Sequence, residues 1–376
     1  MRYIWQHIQT ILATYDGGMP LAHFLKHYFR ENPILGSRDR KLVSAMAYSW
    51  YRCSKGIAYE STPTEAAIKE CLRLCKSELL NNSKLFPPEE AGEAVAYDEH
   101  ALFPHAIALS AGITKAEWLG SMLVQPDFFI RVRKDKGKLV SLLNSQNIPL
   151  TFITDQCIGL PNGAKVDSLL PEDAYAVQDA SSQQTGSFFK PGKNEQWYDC
   201  CSGAGGKALL LKDMENSTRI TVSDKRETII YNLKKRFALY GQHLPVAHVT
   251  DTANRAQLEK ALGTKQFDGI ICDAPCSGSG TWARTPEQLY FFDPAALAQF
   301  PPLQTAIAVN AARHLKPGGR FIYITCSVFE QENEDVVAEI VRQTGLEIES
   351  TQLINGVNIH ADNMYVAVLK KANPAS

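Results

Sequence analysis

Two cysteines of the chain lie where a thiol could act as a nucleophile. Cys276 follows an isoleucine-rich apolar segment at 267–273, and Cys326 follows a second apolar segment at 320–325. Both segments predict buried strands, and Pro275 with the glycines after it predicts a loop. In an open α/β sheet, ligands bind beyond the carboxyl ends of the strands. We therefore expect both thiols at the mouth of a site, where a nearby helix amino end would favour the thiolate.

A thiolate at such a site suits one reaction in particular, the methylation of carbon 5 of a pyrimidine, which is a poor nucleophile by itself. Addition of sulfur to carbon 6 generates an enamine, and carbon 5 can then attack the methyl group of S-adenosylmethionine. The carbon-5 proton must afterwards be removed and the sulfur expelled. Two cysteines allow one thiol to attack and the other to assist release.

A glycine-rich turn precedes these cysteines and follows a predicted strand that ends at Asp199. Such a turn lets the backbone approach a ligand at a helix amino end, as in nucleotide, dinucleotide and S-adenosylmethionine sites. Its spacing matches neither the dinucleotide fingerprint nor a phosphate-binding Walker loop. The turn contains Cys201, Ser202, Gly203, Ala204, Gly205, Gly206 and Lys207.

Three aspartates end successive predicted strands, namely Asp224, Asp251 and Asp273. An acidic side chain at such a position can bind ribose hydroxyls, and one at the next strand end can meet an adenine edge. A single aspartate at a strand end could equally be a helix cap. Three of them, together with the glycine-rich turn, predict a ligand that contains adenosine.

The order of predicted elements divides the chain into three domains. Residues 1–120 show the helical spacing of apolar residues, interrupted by a predicted surface loop at 87–92. Short strands follow, and they predict a small α+β subdomain at 121–190, which we expect to bind RNA. From 191 to 376 strands alternate regularly with helices. This alternation predicts an α/β domain with a doubly wound, mainly parallel sheet.

Composition is ordinary for a globular protein, with 45% hydrophobic and 21% charged residues and a formal net charge of −1. Because the chain has no overall positive charge, contact with RNA would require a local cluster. One such cluster consists of Arg131, Arg133, Lys134, Lys136 and Lys138. Two interpretations stay open for it: a solvated hairpin edge protected by lysines, or contact with RNA phosphates.

The number and spacing of the cysteines, together with the hydropathy of the chain, indicate the cellular compartment. The nine cysteines are an odd number and include no CxxC pair, which predicts free thiols in a reducing, cytoplasmic environment. No run of about 18 apolar residues occurs, so we expect no membrane span. His23 and His27 lie four residues apart without a third ligand near in sequence, and no metal site is predicted. The protein is expected to be a monomer.

The chain resembles the Sun-type RNA cytosine-5 methyltransferases, the family of RsmB, RsmF and the NSUN enzymes. The most specific matches are Asp273-Ala-Pro-Cys276-Ser-Gly and Thr325-Cys326-Ser327. Further matching stretches lie at 177–183, 199–207, 316–319 and 332–334, and the match covers about 126–370. Residues 37–40, Ser-Arg-Asp-Arg, resemble the NusB-like helical domain of RsmB members, which implies that the domain at 1–120 binds RNA.

The resemblance implies a class I methyltransferase with a Rossmann-like, seven-stranded sheet, S-adenosylmethionine as cofactor and RNA as partner. It implies that Cys326 is the nucleophile, that Cys276 assists product release, and that Asp273 hydrogen-bonds the target base beside the cofactor. The turn at 201–207 would hold the methyl donor.

The same resemblance assigns roles to two further aspartates. The chain also departs from the family pattern at two places. The resemblance assigns Asp224 to the ribose and Asp251 to the adenine side of the cofactor. Ala204 stands where the family usually has proline, and 362–365 reads Asp-Asn-Met-Tyr where the family usually has Asp-Gly-Phe-Phe.

The preferred hypothesis is an RNA (cytosine-5)-methyltransferase that acts on an unstacked base in single-stranded or bulged RNA, with ribosomal RNA as the expected substrate. One rival is a DNA cytosine-5 methyltransferase in which Cys276 is the nucleophile. The loop around Cys326 and the Glu-Asn-Glu segment at 332–334 argue against it. The other rival is a non-catalytic RNA-binding ribosome assembly factor, against which the intact thiols, Asp273 and Lys207 argue.

Overall fold

The computed structural model describes residues 2–57, 64–81, 86 and 96–373, and the loop predicted at 87–92 lies outside these residues. The chain forms two compact units. The helical unit comprises Met1–Ile107, Thr114–Gln125 and Thr281–Pro294, and the sheet unit comprises Ala108–Ile113, Pro126–Gly280 and Ala295–Ser376. The separation of 121–190 from 191–376 as two domains stays a prediction.

The elements are numbered in chain order. The helices are α1 (Arg2–Thr14), α2 (Leu21–Glu31), α3 (Ser37–Cys53), α4 (Thr64–Leu74), α5 (Lys115–Met122), α6 (Lys136–Ser145), α7 (Ala180–Gln184), α8 (Gly206–Met214), α9 (Glu227–Leu239), α10 (Arg255–Leu262), α11 (Pro286–Tyr290), α12 (Pro294–Leu297), α13 (Phe300–Ala312) and α14 (Glu334–Thr344). The strands are β1 (Phe128–Val132), β2 (Thr151–Phe152), β3 (Cys157–Leu160), β4 (Tyr175–Val177), β5 (Gln196–Asp199), β6 (Arg219–Asp224), β7 (Val246–Val249), β8 (Phe267–Asp273), β9 (Leu315–Thr325), β10 (Glu347–Ile354) and β11 (Met364–Lys370).

The helical unit is built on the apolar spacing that the sequence shows. Every apolar position predicted for α3 is buried, namely Leu42, Val43, Met46, Ala47 and Trp50. The unit also contains α11, which lies far along the chain. Rings of Tyr290 and Phe291 pack against Tyr51 of α3, with centroids 5.0 and 5.8 Å away. This aromatic packing is the reason that 281–294 belongs to the helical unit and not to the predicted α/β domain. No helix among the described residues has both the length and the apolar character that crossing a bilayer requires.

A four-stranded antiparallel sheet in the order β2-β3-β1-β4 forms the first part of the sheet unit. Its apolar core includes Ile130, Ile158 and, from α6, Leu139. The strand predicted over 128–138 ends at Val132, because the Asp135 side chain accepts from an amide of the first turn of α6 and so caps that helix. The predicted hairpin edge is therefore partly a helix.

The second sheet has seven strands in the order β10-β11-β9-β8-β5-β6-β7. Strands β5 to β9 are mutually parallel. At one side of the sheet β11 runs antiparallel to β9, and β10 at the edge pairs antiparallel with β11. This arrangement confirms the predicted seven-stranded, mainly parallel sheet. The strand order reverses between β5 and β8, which is where ligands bind in sheets of this kind. Asp199, Asp224, Asp273 and Thr325, each the last residue of its strand, therefore lie at one edge of the sheet.

Candidate active site

The two loop cysteines lie side by side. Because β8 and β9 are parallel neighbours, the loops that follow them begin at the same edge of the sheet. The Sγ atoms of Cys276 and Cys326 are 3.3 Å apart, and both residues are half-buried. The hydrogen bond with Cys326 and burial raise the pKa of Cys276 well above its usual value. Cys276 therefore holds its proton at neutral pH, which differs from the thiolate character that its loop position predicts.

A single buried carboxylate joins the two cysteine loops. Glu332, fully buried, accepts the backbone amide of Ser277 at 2.8 Å and the side-chain amide of Gln304 at 3.2 Å through Oε1. Its Oε2 accepts the hydroxyls of Ser277 and Ser327. Each of these serines directly follows one of the two cysteines. The sequence showed Glu332 only as part of a resembling segment, and Gln304 carried no local signal.

Asn333 and Gly280 hold the backbone around Cys326. The Asn333 side chain accepts a hydrogen bond from the hydroxyl of Thr325 and donates one to the carbonyl of Ser327 at 2.9 Å. It therefore binds the loop on both sides of Cys326. The Gly280 amide donates to the Cys326 carbonyl at 2.9 Å. A Cβ at position 280 would lie 2.2 Å from a backbone oxygen of 363, so only glycine fits this approach.

A polar cluster with a buried cation lies at the carboxyl end of β8. The Lys207 ammonium lies 3.3 Å from Oδ2 of Asp273 and donates to the Ser182 hydroxyl at 2.8 Å. Asp199 is fully buried, and within the described part of the chain neither of its oxygens accepts a hydrogen bond of normal geometry. Burial raises the pKa of Asp199 to about 8, and the negative charge of Asp273 is the second largest cause of this rise. Asp199 is therefore mostly uncharged at neutral pH.

The glycine-rich turn connects β5 to the amino end of α8, as predicted. Gly203 and Gly205 adopt φ values of +49° and +81°, in the left-handed region that favours glycine. A Cβ on Gly203 would meet no described atom within 4 Å, so the backbone there faces open space. The turn therefore closes without a proline, although Ala204 occupies the position where the family usually has one.

A pocket of about 270 Å³ adjoins the turn and the strand ends. Its lining residues are Cys200, Cys201, Asp224, Lys225, Arg226, Thr250, Asp251, Thr252, Asp273, Pro275, Leu303 and Ile307. The three predicted aspartates thus share one pocket, and Pro275, the neighbour of Cys276, lines it as well. The pocket combines three carboxylates with apolar side chains from α13.

Arg226 is a pocket residue that the sequence did not indicate. Its guanidinium binds both oxygens of Asp224, with Nε to Oδ1 at 2.9 Å and Nη2 to Oδ2 at 3.0 Å. Burial opposes ionisation of Asp224, but the hydrogen bonds from Arg226 outweigh it and lower the pKa of this carboxyl. Asp224 therefore stays negatively charged inside the pocket.

Comparison with known proteins assigns this part of the chain to a family. The family model described as 16S rRNA methyltransferase RsmB/F matches residues 187–373. Residues 187–373 therefore belong to the RsmB/F methyltransferase family. The ribosomal RNA small subunit methyltransferase B of Klebsiella pneumoniae subsp. pneumoniae is 27% identical over 268 residues, which are 66% of this chain and 61% of that protein. The corresponding protein of Shewanella oneidensis is 28% identical over 57% of this chain and 50% of its own length. The chain thus spans between half and two thirds of these relatives.

Solved structures share the fold of the RsmB/F domain and its surroundings. The crystal structure of PH0851 aligns with 92% of this chain and 93% of its own, with a TM-score of 0.70 and 17% identity. The crystal structure of NSun6 from Pyrococcus horikoshii with SFG aligns with 69% of this chain and 94% of its own, with a TM-score of 0.59 and 15% identity. At these identities the comparison establishes a class I methyltransferase fold.

Two of the cationic residues predicted to bind RNA are buried beside the RsmB/F domain. The side chains of Arg131 and Arg133 are each 3% exposed and share the carboxylate of Asp213, at 2.6 and 2.8 Å. Guanidinium groups in a buried ion pair are not available to phosphates, so the structure gives these two arginines a different role. Lys134 and Lys136 form exposed ion pairs, and Lys138 is exposed. RNA contact by the three lysines stays a prediction.

Arg131 instead supports the site through side chains of 178–182. Arg131 donates through Nε to the Gln178 side chain at 3.0 Å. Gln178 donates to the hydroxyl of Ser182 at 3.3 Å, and that hydroxyl accepts from Lys207. A continuous set of hydrogen bonds therefore extends from β1 to the ammonium beside Asp273. Gln178 and Ser182 of this set lie in the segment 177–183 that resembles the family.

Replacing Asp213 by alanine should lower the free energy of unfolding by about 3 kcal/mol, because it leaves two buried guanidinium groups without a carboxylate. Urea unfolding followed by tryptophan fluorescence measures the change. Asp173→Ala is the matched control, since Asp173 pairs with the exposed Lys134 and its loss should change stability little. Equal stabilities of the two variants would contradict the structural role of the buried pair.

Proposed function

We propose that the protein is an RNA (cytosine-5)-methyltransferase that uses S-adenosylmethionine and forms a transient bond between Cys326 and the target base. The observation that carries this proposal is the 3.3 Å separation of the Cys276 and Cys326 sulfurs beside an acidic pocket. The family description and the names of the relatives, which refer to ribosomal RNA methyltransferases, support ribosomal RNA as the substrate.

The pocket fits an adenosine-bearing methyl donor. The open backbone at Gly203 can approach the donor, and the ionised carboxylate of Asp224 can accept hydrogen bonds from ribose hydroxyls. Leu303 and Ile307 offer apolar contacts to a purine ring, and Asp251 offers an acceptor to its exocyclic amine. The neighbour NSun6 contains SFG, an analogue of S-adenosylmethionine, which supports the same choice of donor. When bound, S-adenosylmethionine supplies an electrophilic methyl group.

The thiol of Cys326 is the proposed nucleophile. The thiol gives its proton to solvent water, and as its sulfur bonds to carbon 6 of cytosine, the electrons of the carbon 5–carbon 6 double bond make carbon 5 nucleophilic. Asp273 hydrogen-bonds the base, and the Lys207 ammonium beside it limits the build-up of negative charge. After methylation, removal of the carbon-5 proton restores the double bond and expels the sulfur of Cys326.

Cys276 is the proposed partner in product release. The hydrogen bond with Cys326 and burial raise its pKa, so it holds a proton at neutral pH and is a poor nucleophile. Its position against Cys326 allows it to stabilise the sulfur that leaves the ring. The Glu332 carboxylate fixes this arrangement by binding the residue after each cysteine.

The RNA must present its target base to these groups. A base within a duplex is stacked and paired, so an unstacked cytosine in a single-stranded or bulged segment is the proposed substrate. A monomeric state and a cytoplasmic location stay predictions.

Transfer of labelled methyl groups tests the proposal. The full chain is incubated with methyl-labelled S-adenosylmethionine and total RNA from a strain that lacks the gene, and the RNA is then digested to nucleosides. We expect the label in 5-methylcytidine of ribosomal RNA and none in a DNA of the same sequence. Label in DNA, or in a nucleoside methylated elsewhere, would overturn the proposal. Bisulfite mapping of the mutant and wild-type RNA then identifies the cytosine.

A further inference from the structure

A segment from far upstream in the chain pairs with the loop that follows Cys326. The amide of Ser110 donates to the carbonyl of Val328 at 2.8 Å, and an antiparallel β-bridge forms beside this bond. Ser110 also bonds to the side chain of Asn333, which lies 223 residues later in the sequence. We name residues 108–111 the bridging segment. Its contacts with the loop combine backbone pairing with a buried side chain.

The hydroxyl of Ser110 binds two side chains in different ways. Ser110 is 1% exposed, and its hydroxyl donates to Oε2 of Glu334 at 2.7 Å and accepts from the side-chain nitrogen of Asn333 at 2.8 Å. Glu334 also accepts the amide of Ala111 at 3.3 Å through Oε1. A serine hydroxyl has one proton, and a carboxylate accepts hydrogen bonds but donates none. The proton of Ser110 therefore faces Glu334, and only its lone pairs face Asn333.

This direction sets the orientation of the Asn333 side chain. The two ends of an asparagine amide have nearly the same shape, so their hydrogen bonds decide which end faces which partner. The nitrogen of Asn333 faces Ser110 and also donates to the carbonyl of Ser327 at 2.9 Å. The oxygen accepts from the hydroxyl of Thr325, which in turn accepts the amide of Ser327 at 3.2 Å. Cys326 lies between the two residues that this set of bonds holds.

The set of hydrogen bonds is closed to water, since four of its members are at most 1% exposed: Ser110, Thr325, Ser327 and Asn333. Removing one partner from such a buried set leaves the others unpaired, which costs far more than the same loss at a surface. Without the Ser110 hydroxyl the amide of Asn333 could turn over. Its oxygen would then face the carbonyl of Ser327, and the loop would have to move.

We propose that Ser110 is a positioning residue of the active site, which together with Glu334 orients Asn333 and so holds the sulfur of Cys326 against Cys276. The consequence for the reaction rests on the proposed function, because it takes Cys326 as the nucleophile. The consequence for the 3.3 Å separation of the two sulfurs does not depend on any reaction. The bridging segment does not line the acidic pocket, so we expect it to affect the rate of methyl transfer and not the binding of the methyl donor.

Ser110→Ala in the full chain is the first test. Ser54→Ala is the matched control, because Ser54 is also buried and its hydroxyl forms no hydrogen bond within the described residues. Single-turnover methyl transfer is measured at saturating S-adenosylmethionine, and calorimetry measures the affinity for this donor. We expect the rate of Ser110→Ala to fall about tenfold or more, since a small displacement of a reacting group is costly, while the affinity stays unchanged.

Oxidation of the thiols provides a measurement that needs no methyl transfer. Glutathione disulfide takes two electrons and two protons from the two cysteines and is reduced to two glutathione molecules, while Cys276 becomes bonded to Cys326. Alkylation of the remaining thiols followed by peptide mass spectrometry gives the rate. We expect this bond to form several times more slowly in Ser110→Ala than in the wild-type protein, and at the wild-type rate in Ser54→Ala.

Glu334→Gln tests the direction of the hydrogen bonds while the Ser110 hydroxyl is kept. The glutamine side chain has nearly the same size but can donate as well as accept, so it no longer fixes the proton of Ser110. Asp335→Asn is the matched control, because Asp335 is exposed and removes the same charge from the first turn of α14. We expect Glu334→Gln to slow both methyl transfer and oxidation, and Asp335→Asn to change neither.

The outcomes separate this inference from the proposed function. Wild-type rates in Ser110→Ala and Glu334→Gln would overturn the positioning role, and so would a loss of donor affinity as large as the loss of rate. If Ser110→Ala does not fold, the comparison of Glu334→Gln with Asp335→Asn decides alone. Slower oxidation in the variants of a protein that forms no 5-methylcytidine contradicts the proposed function and leaves the positioning of the thiols intact. Thermal unfolding verifies that each variant folds.

Discussion

Cys326→Ala should abolish methyl transfer, whereas Cys276→Ala should trap an RNA–protein complex that survives denaturation. Without the Cys326 sulfur no bond to carbon 6 can form, and we expect the rate to fall by about a thousandfold or more. Without Cys276 the bond forms and the methyl group is transferred, but the sulfur leaves slowly because its neighbour at 3.3 Å is missing. Denaturing gel electrophoresis with labelled RNA measures the complex, and nucleoside analysis measures the product.

The same two variants distinguish the proposed reaction from the alternative with Cys276 as nucleophile. In that alternative Cys276→Ala abolishes methyl transfer, and Cys326→Ala leaves it intact. Cys157→Ala serves as the control for removing a thiol, because Cys157 is a buried residue of β3 in the four-stranded sheet. It should retain both activity and RNA release. Failure of Cys276→Ala to trap a complex would contradict the proposed role of Cys276 in product release.

Patterns within single elements made the sheet and the cysteine site predictable. An apolar segment that leads to Asp or Cys predicts a strand, and the Gly and Pro residues that follow it predict a loop. Cys276, Cys326 and Asp273 could therefore be placed at one edge of the sheet from the sequence. Strand β10 has no such pattern, because it lies at the edge of the sheet and six of its eight residues are exposed.

Partners that lie far apart in the chain could not be predicted. The cluster around Arg131 and Arg133 has the composition of an RNA-binding segment, and its burial depends on Asp213, 80 or more residues later. Likewise, Glu332 lies 55 residues from Ser277, and no local pattern links them. The sequence therefore identified the reactive side chains, while the structure was needed to identify the side chains that hold them.

Glu332→Ala should reduce both stability and activity, because one carboxylate organises both cysteine loops. The substitution leaves a backbone amide, two hydroxyls and the Gln304 amide without their acceptor in a fully buried place. We expect the free energy of unfolding to fall by about 4 kcal/mol. Displacing a reacting thiol by about 1 Å can cost a hundredfold in rate, so methyl transfer should fall at least about that much. Urea unfolding and single-turnover methyl transfer measure the two effects.

A second readout separates the positioning of the thiols from general stability. Mild oxidation of the wild-type protein should join Cys276 to Cys326 rapidly, because their sulfurs are 3.3 Å apart. In Glu332→Gln, which keeps the size of the side chain but presents an amide to the donors, we expect this bond to form several times more slowly even where the protein is fully folded. Glu330→Gln is the matched control, since within the described residues the Glu330 side chain makes no hydrogen bond or ion pair. If Glu332→Gln oxidises and methylates like the control, the carboxylate does not set the distance between the thiols, and other contacts of the loops, such as those of Asn333 and Gly280, must hold them.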